Sequence, residues 1–424
     1  MNDHDIFQLD SAAIAYPYFA SADTAHSFTL EAKLDEEINP EALKSAVEAL
    51  FDRFPSIFVR LKKQSRGYVL EHFRDVSAFV EKRVGSGVKP YDVKNRDALI
   101  LISHHGNTVE VEFFHAVTDG NGGIVFFKSL LAEYLRNLGE DIPDTCGILS
   151  AKDLPTAGEL EDSYKKNFRK HLGTAKRSEK FAFQPSLKGS SSNWHRSNIC
   201  IDISELKSFA KKYDATVTQI AVSLYMYAFY KLREAQNGKK PITIAVPVNL
   251  RPTFDSDSLR NFSLFFLTKL PAEIVSLETI IKQVKLDFAN GSDKALLQKM
   301  ININVAQQEM TLFRCLPRFM KRIVLKAGFQ LYGERLYSST LSNIGVFTVP
   351  EEMKKHIRSF RGMLSPVPIN RIHCMAYCYN DVFSVTFTSR LSDLTVEETI
   401  VRLLSQNAIK AELILDDQTQ SVMP

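Results

Sequence analysis

"VEVEFFHAVTDGNGG" (Val109–Gly123) is the stretch on which the reading of this chain turns. Apolar residues alternate with glutamates as far as Phe113; then comes His115, and four residues later Asp119 among glycines. A period of two marks a strand, on which Val109, Val111, Phe113 and His115 share one face and Glu110, Glu112 and Phe114 the other. The glycines of "TDGNGG" allow a sharp turn and a close backbone approach. Beyond them, "IVFFKSLLAEYLRNLG" has helical apolar spacing and ends on Gly139. Asp119 therefore falls near a helix N-terminus, where the peptide dipoles favour a carboxylate.

Two accounts of this turn stand side by side. In one, His115 is a hydrogen-bonded core residue and Asp119 a helix cap. In the other, His115 stands at the mouth of a cleft as a neutral imidazole, its ordinary pKa being about 6.5. Such a ring accepts a proton from a hydroxyl or amine, an effect of roughly 10²- to 10⁴-fold in rate. Spacing alone does not separate the two.

Strand and helix signals alternate on either side. "SFTLEAKL" reads as a strand, and "NPEALKSAVEALFDRF" as a helix with Asn39 as cap and Pro40 at its first position. "SIFVRLKK" and "GYVLEHF" pair as a hairpin, and "DALILISHHGNTVEVEFFHA" gives two strands turning at Gly106-Asn107. From Cys146 to Trp194 periodicity fails, and prolines, lysines and "KGSSSN" suggest a connection with at most short helices. The alternation then resumes. "TVTQIAVSLYMYAFYKLREA" is a strongly apolar helix, and "PITIAVPVNL" and "FSLFFLTKL" are strands. "SLETIIKQVKLDFAN" is a helix, and "HCMAYCYNDVFSVTFTS" a hairpin turning at Asn380-Asp381. "TVEETIVRLLSQNAI" is expected to close the chain as a helix. The fold expected is α/β of the mixed α+β kind, in two lobes without a sequence repeat. The division is residues 1–145, a connection over 146–194, and a second lobe over 195–424.

Composition narrows the function. The 424 residues are 45% hydrophobic and 24% charged, ordinary for a globular protein and long enough for two cores. A net charge of +4, with no basic array interleaved with aromatics, argues against nucleic acid. Twenty-nine phenylalanines against one tryptophan suggest large apolar interiors or an apolar tunnel. The five cysteines (Cys146, Cys200, Cys315, Cys374 and Cys378) form no CxxC pair, which supports neither a zinc knuckle nor a disulfide framework. Cys374 and Cys378 are spaced to share a buried strand face. "MNDHDIFQLDSAA" has no basic and apolar leader pattern, so a soluble, cytoplasmic protein is expected. No GxSxG elbow and no phosphate-binding loop is present, and no metal-ligand spacing is found.

"HAVTDG" (His115–Gly120) resembles the HxxxDG signature of the acyltransferase superfamily that includes chloramphenicol acetyltransferase, plant-type acyl-CoA acyltransferases and peptide-synthetase condensation domains. "PVNLRPTFDSDSLRNFSLFF" (Pro247–Phe266) is similar to that family's second-lobe segment. There a strand ends in a polar residue and arginine, and the next strand begins near Asn-Phe. "STLSNIGVFTVPEEM" (Ser339–Met353) resembles the Ser-Asn-x-Gly segment of stand-alone alcohol acetyltransferase-like members. With "INPEALKSAVEALFDRFPSIFVRL" near the start, these matches span most of the chain.

The resemblance implies two chloramphenicol-acetyltransferase-like lobes with a solvent channel between them. It makes His115 the general base, and Asp119 a structural residue paired with Arg251 across the lobes. Gly120 or neighbouring backbone N–H groups, with Ser342 or Asn343, become candidate oxyanion or substrate contacts; the other reading of these two is a polar loop capping a strand end. The implied reaction moves an acyl group from a thioester to a hydroxyl or amine without a covalent acyl-enzyme. Acyl-CoA, or an acyl-phosphopantetheine carrier protein, is the co-substrate, a small alcohol or amine the acceptor, and no bound cofactor or metal is required. A carrier-dependent condensation-like enzyme and a silent docking or scaffold member are the rival readings.

Departures narrow the match. Phe114 stands where peptide-forming condensation domains have a second histidine, and the His104-His105 pair lies before the hairpin turn, outside that role. The plant-type DFGWG segment is missing. Finally, "EMTLFRCLPRFMKRIVLKAGFQLYGERLY" (309–337) sets Arg314, Arg318, Lys321, Arg322 and Lys326 beside apolar residues. That pattern suits phosphates, an acidic carrier protein or an anionic membrane surface, or simply an amphipathic helix with a solvated basic side.

Overall fold

The computed structural model describes residues 6–19, 26–83, 97–173, 181–186, 194–270, 276–310, 315–365, 367, 370–391 and 393–416. "KGSSSN" and Arg314 lie outside them. In chain order the strands are β1 (Ile6–Gln8), β2 (Ser27–Leu34), β3 (Val59–Gln64), β4 (Gly67–His72), β5 (Val80–Lys82), β6 (Ile100–His105) and β7 (Thr108–Phe114). They continue with β8 (His195–Asp202), β9 (Ile242–Asn249), β10 (Ser263–Leu270), β11 (Ser339–Val346), β12 (Ile357–Leu364), β13 (Ile372–Tyr379), β14 (Val382–Ser389) and β15 (Ala411–Leu415).

The first large sheet has the order β12-β2-β7-β6-β5. β6 and β7 are a hairpin whose turn uses Gly106 at φ +51°, and β2 lies antiparallel to β7 with Phe28 opposite Phe113. Two helices cover its apolar face. Pro40–Leu50 is capped by Asn39, whose side chain accepts from the backbone N–H groups of Glu41 and Ala42. The other, Gly120–Asn137, follows the His115 turn. Among the described residues, eight phenylalanines (Phe28, Phe54, Phe58, Phe79, Phe113, Phe114, Phe126 and Phe127) are at most 1% exposed in this core. Several meet edge-on, as Phe54 and Phe126 do at 5.2 Å, so these rings pack a core rather than line a passage.

The second sheet has the order β10-β9-β11-β13-β14-β8-β15. Its β13–β14 hairpin turns at Asn380 (φ +48°) and Asp381 (φ +61°), the paired left-handed conformation that matches strand twist. The helices Val217–Ala235, Leu277–Gly291 and Thr395–Gln406 bury their apolar sides with this sheet in a second core. The Val217–Ala235 helix begins with a reciprocal capping box between Thr216 and Gln219. Cys374 and Cys378 are both buried on β13. A small third sheet, β1-β4-β3, flanks the first lobe.

The architecture is the two-lobed mixed α/β arrangement expected, with two features that periodicity does not announce. The Thr395–Gln406 helix does not close the chain, because β15 follows it and pairs with β8. More consequentially, β12 leaves the second half of the sequence to join the first sheet, pairing with β2 from Phe28–Leu364 to Leu34–Ile357. The glutamate face of β7 is buried as well: Glu112 accepts from Ser27 Oγ at 2.8 Å, and Arg83 lies 3.2 Å from Glu110. Burial and the neighbouring Glu31 push the Glu110 carboxyl up to about 7. Among the described residues no helix is long and apolar enough to cross a membrane.

Candidate active site

The turn after β7 is shaped by contacts from distant parts of the chain. The His115 backbone N–H donates to the His26 carbonyl at 2.9 Å. Asp119 is the extended N-cap of the Gly120–Asn137 helix, and its side chain accepts from Gly122 N–H at 3.2 Å. Thr118 Oγ1 donates to the Leu259 carbonyl at 2.6 Å. That same carbonyl oxygen would lie 2.1 Å from a Cβ at residue 122, so only glycine fits there. A Cβ at Gly120 would meet the Ile344 side chain at 3.3 Å, which brings the end of β11 against the start of this helix.

Arg251 secures the turn from the second half of the sequence. Its guanidinium grips Asp119 with Nη1 on Oδ2 at 2.9 Å and Nη2 on Oδ1 at 3.0 Å. Nε donates to the Ser258 carbonyl at 2.7 Å, Nη1 to Asn249 Oδ1 at 3.1 Å and Nη2 to the Arg260 carbonyl at 2.6 Å. All five N–H donors of the guanidinium therefore have acceptors. Asp119 Oδ2 also accepts from the Phe262 backbone N–H at 2.8 Å. Both side chains are buried, and the fork-to-fork geometry with extra hydrogen bonds is the condition under which a buried pair holds.

His115 is partly buried, with Tyr16 stacked on its ring at 5.2 Å and Phe28 edge-on at 5.5 Å. Its Nδ1 lies 3.1 Å from Asn261 Oδ1. The Asn261 amide is oriented by its other end, since Nδ2 donates to Asp10 Oδ2 at 3.1 Å. A carboxylate takes the NH₂ end of that amide, so the oxygen faces the ring and His115 Nδ1 carries a proton to donate to it. Nε2 is then the nitrogen with the lone pair. Asp10 is fully buried and anchors the turn leading to Tyr16, its Oδ1 accepting from the Ala12 and Ala13 N–H groups at 3.0 and 2.9 Å. Burial raises the Asp10 carboxyl to about 6, against the pull of Arg260. Burial lowers His115 below the usual imidazole range, opposed by Asp119, which favours the neutral ring at pH 7. Burial, with His115 and His373 nearby, lowers His26 to about 3.

His115, Asp119, Gly120 and Arg251 are thus brought together. Of the β11 pair, Asn343 is engaged at both amide atoms: Nδ2 donates to Thr218 Oγ1 at 2.6 Å and Oδ1 accepts from Gly345 N–H at 2.9 Å. Ser342, half-buried on the same strand, lies opposite Met375 of β13. His104 and His105 stand at the far end of β6, opposite Val109 and Thr108 and a strand's length from His115. Asp10, Tyr16 and Asn261 are the residues that sequence reasoning missed. Asn261 lies inside the "LRNFSLFF" segment that carried the resemblance, whereas Asp10 has no local signal.

No protein-family model and no curated protein sequence matches the chain. Solved structures do match in fold. Polyketide synthase associated protein 5 from Mycobacterium tuberculosis superposes with a TM-score of 0.61 at 14% identity, over 94% of this chain and 97% of its own. A starter condensation domain of rhizomide synthetase, solved with C8-CoA and Leu-SNAC, gives 0.61 at 12% identity over 95% and 94%. Trichothecene 15-O-acetyltransferase from Fusarium sporotrichioides gives 0.60 at 12% identity over 93% of both chains. The fold is that shared by condensation domains and chloramphenicol-acetyltransferase-like acyltransferases.

Proposed function

We propose that the protein transfers an acyl group from an acyl thioester, with acyl-CoA as the donor, to the hydroxyl or amine of a small acceptor. The observation that carries this reading is the Asp10–Asn261–His115 chain of hydrogen bonds, which leaves Nε2 basic beside a turn clamped by Asp119 and Arg251. The fold shared with acetyltransferases and a CoA-bound condensation domain supports it.

In this mechanism His115 Nε2 takes the acceptor's proton as its oxygen or nitrogen attacks the thioester carbonyl. The C–S bond then breaks, and the departing thiolate recovers the proton from Nε2. No covalent acyl-enzyme forms, because placing both reactants in one site supplies proximity. The developing oxyanion is met by the backbone N–H of Gly120 or its neighbours at the helix N-terminus, or by Ser342. Asn343, held at both amide atoms, keeps the strand end in place. Asp119 and Arg251 fix the turn and take no part in proton transfer. As working lobes we take residues 1–145 and 195–424 joined by 146–194. The five free cysteines fit a reducing, cytoplasmic setting.

The test is release of free thiol from acetyl- and longer acyl-CoAs with a panel of alcohols and amines. Release that requires both an acceptor and His115 is expected. Full activity in His115→Ala would falsify the mechanism, and turnover only with an acylated carrier protein would overturn the choice of donor.

A further inference from the structure

Over residues 318–328, the Arg318–Tyr332 helix meets the protein through polar anchors and turns large apolar side chains to solvent. Its side toward the protein is carried by polar anchors: Lys321, largely buried, donates through Nζ to the Arg66 carbonyl at 2.7 Å, and the Arg318 backbone N–H donates to the Ser65 carbonyl at 3.2 Å. Both carbonyls belong to the turn of the β3–β4 hairpin. The side toward solvent is apolar, with Phe319 66% exposed, Ile323 66%, Val324 51% and Met320 40%. Spaced at i, i+1, i+4 and i+5, these four project as one stripe. Arg322 and Lys326, both exposed, run along one border of the stripe, and Lys63 near the end of β3 and Arg66 in the hairpin turn add to the positive rim. The helix sequence contains no acidic residue. At its N-terminal end a concavity of ≈ 580 Å³ is lined by Tyr18, Lys63, Tyr68, Arg318, Phe319 and Arg322, among others. The Arg318 guanidinium lies over the Tyr68 ring at 5.6 Å.

Large apolar side chains outward, with cations beside them, are the arrangement of a helix that lies in a membrane interface. We propose that this helix docks the protein onto an anionic lipid bilayer, with a lipid phosphate seated in the Lys63–Arg318–Arg322 concavity. A second copy of the chain suits the patch less well, because a self-facing interface would set Arg322 and Lys326 against their own like charges. A bilayer takes both halves of the pattern: acyl chains receive the stripe, and phosphates receive the rim. The proposal does not rest on the acyl-transfer reading.

Flotation of the full chain with phosphatidylcholine vesicles, with and without a third of phosphatidylglycerol, tests it. Binding is expected only to the anionic vesicles, weakening as salt rises. Arg322→Gln with Lys326→Gln should weaken binding at least about tenfold. Phe319→Ser with Ile323→Ser should abolish it, with the thermal midpoint unchanged because neither side chain packs in a core. Absence of flotation at low salt overturns the proposal. So does flotation that survives the Phe319/Ile323 pair unchanged, which would leave charge alone at work, as toward an acidic carrier protein. Self-association abolished by the same pair, without vesicle binding, would assign the face to a second copy.

Discussion

At the residue scale, what distinguishes this histidine is the rank of acceptors behind it. His115 Nδ1 sees an amide oxygen only because Asp10 claims the amide's nitrogen. His115→Ala should lower thiol release by roughly 10²- to 10⁴-fold with the fold intact by circular dichroism. Asn261→Ala should lower kcat by on the order of 10²-fold while leaving KM largely unchanged, since it disturbs the tautomer and not binding. Asp10 gives the pH profile. Protonation near its raised value of about 6 removes the carboxylate that orients Asn261, so the wild-type rate should fall below that pH. In Asp10→Asn, which lacks that carboxylate at every pH, the rate should already be reduced at neutral pH and the limb near 6 should be lost, leaving only protonation of the buried His115 ring at lower pH. The same burial has a sign for stability. Between 3.8 and about 6 the folded chain holds a proton on Asp10 that the unfolded chain has lost, so stability falls as pH rises through that window. Asp10→Asn should flatten this slope in denaturant titrations at stepped pH. The His-x-x-x-Asp-Gly turn was legible because its parts are adjacent in sequence. Asn261 and Asp10 were not, because partners separated by 146 and 251 residues leave no periodic trace.

At the scale of elements, the helix that follows the motif is set by what reaches it from elsewhere. Arg251→Ala would strand a buried carboxylate that also caps the helix, at a cost of about 3–5 kcal/mol, read as a lower urea midpoint. Arg251→Lys should recover little, since an ammonium cannot reproduce the five-donor fork. Gly122→Ala should also destabilise, because the Leu259 carbonyl occupies the space its methyl would need. Hairpins were readable where turn chemistry was explicit, as at Gly106-Asn107 and Asn380-Asp381. The helix after Asn39-Pro40 was equally plain from its cap. β8, β12 and β15 were not. "HRSNICID" is buried along most of its length although five of its eight residues are polar, and "IRSFRGML" acquires its buried residues from a sheet that the other lobe supplies.

At the scale of the molecule, the lobes share a strand as well as the Asp119–Arg251 ion pair. β12 completes the first sheet along β2, and Phe347, Met353, Phe360 and Tyr377 are buried in the first core although they come from the second half of the chain. Expressed alone, residues 1–145 would expose the Ser27–Leu34 edge and the apolar surface those side chains cover, so that fragment should aggregate. Supplying residues 195–424 in trans should restore soluble protein; a monomeric, cooperatively folded 1–145 fragment would show instead that β12 is dispensable. The fold class was legible because strand and helix signals alternate along both halves, whereas the exchanged strand was not, since topology of that kind has no periodicity. The exchange also sets a timetable for chemistry. As the chain leaves the ribosome the imidazole emerges early, yet its amide partner and the guanidinium that fastens its loop come well over a hundred residues later, and the strand that finishes the sheet later still. On the acyl-transfer reading proposed above, a half-made chain carries an inert histidine, and no product ending before β12 should discharge a thioester.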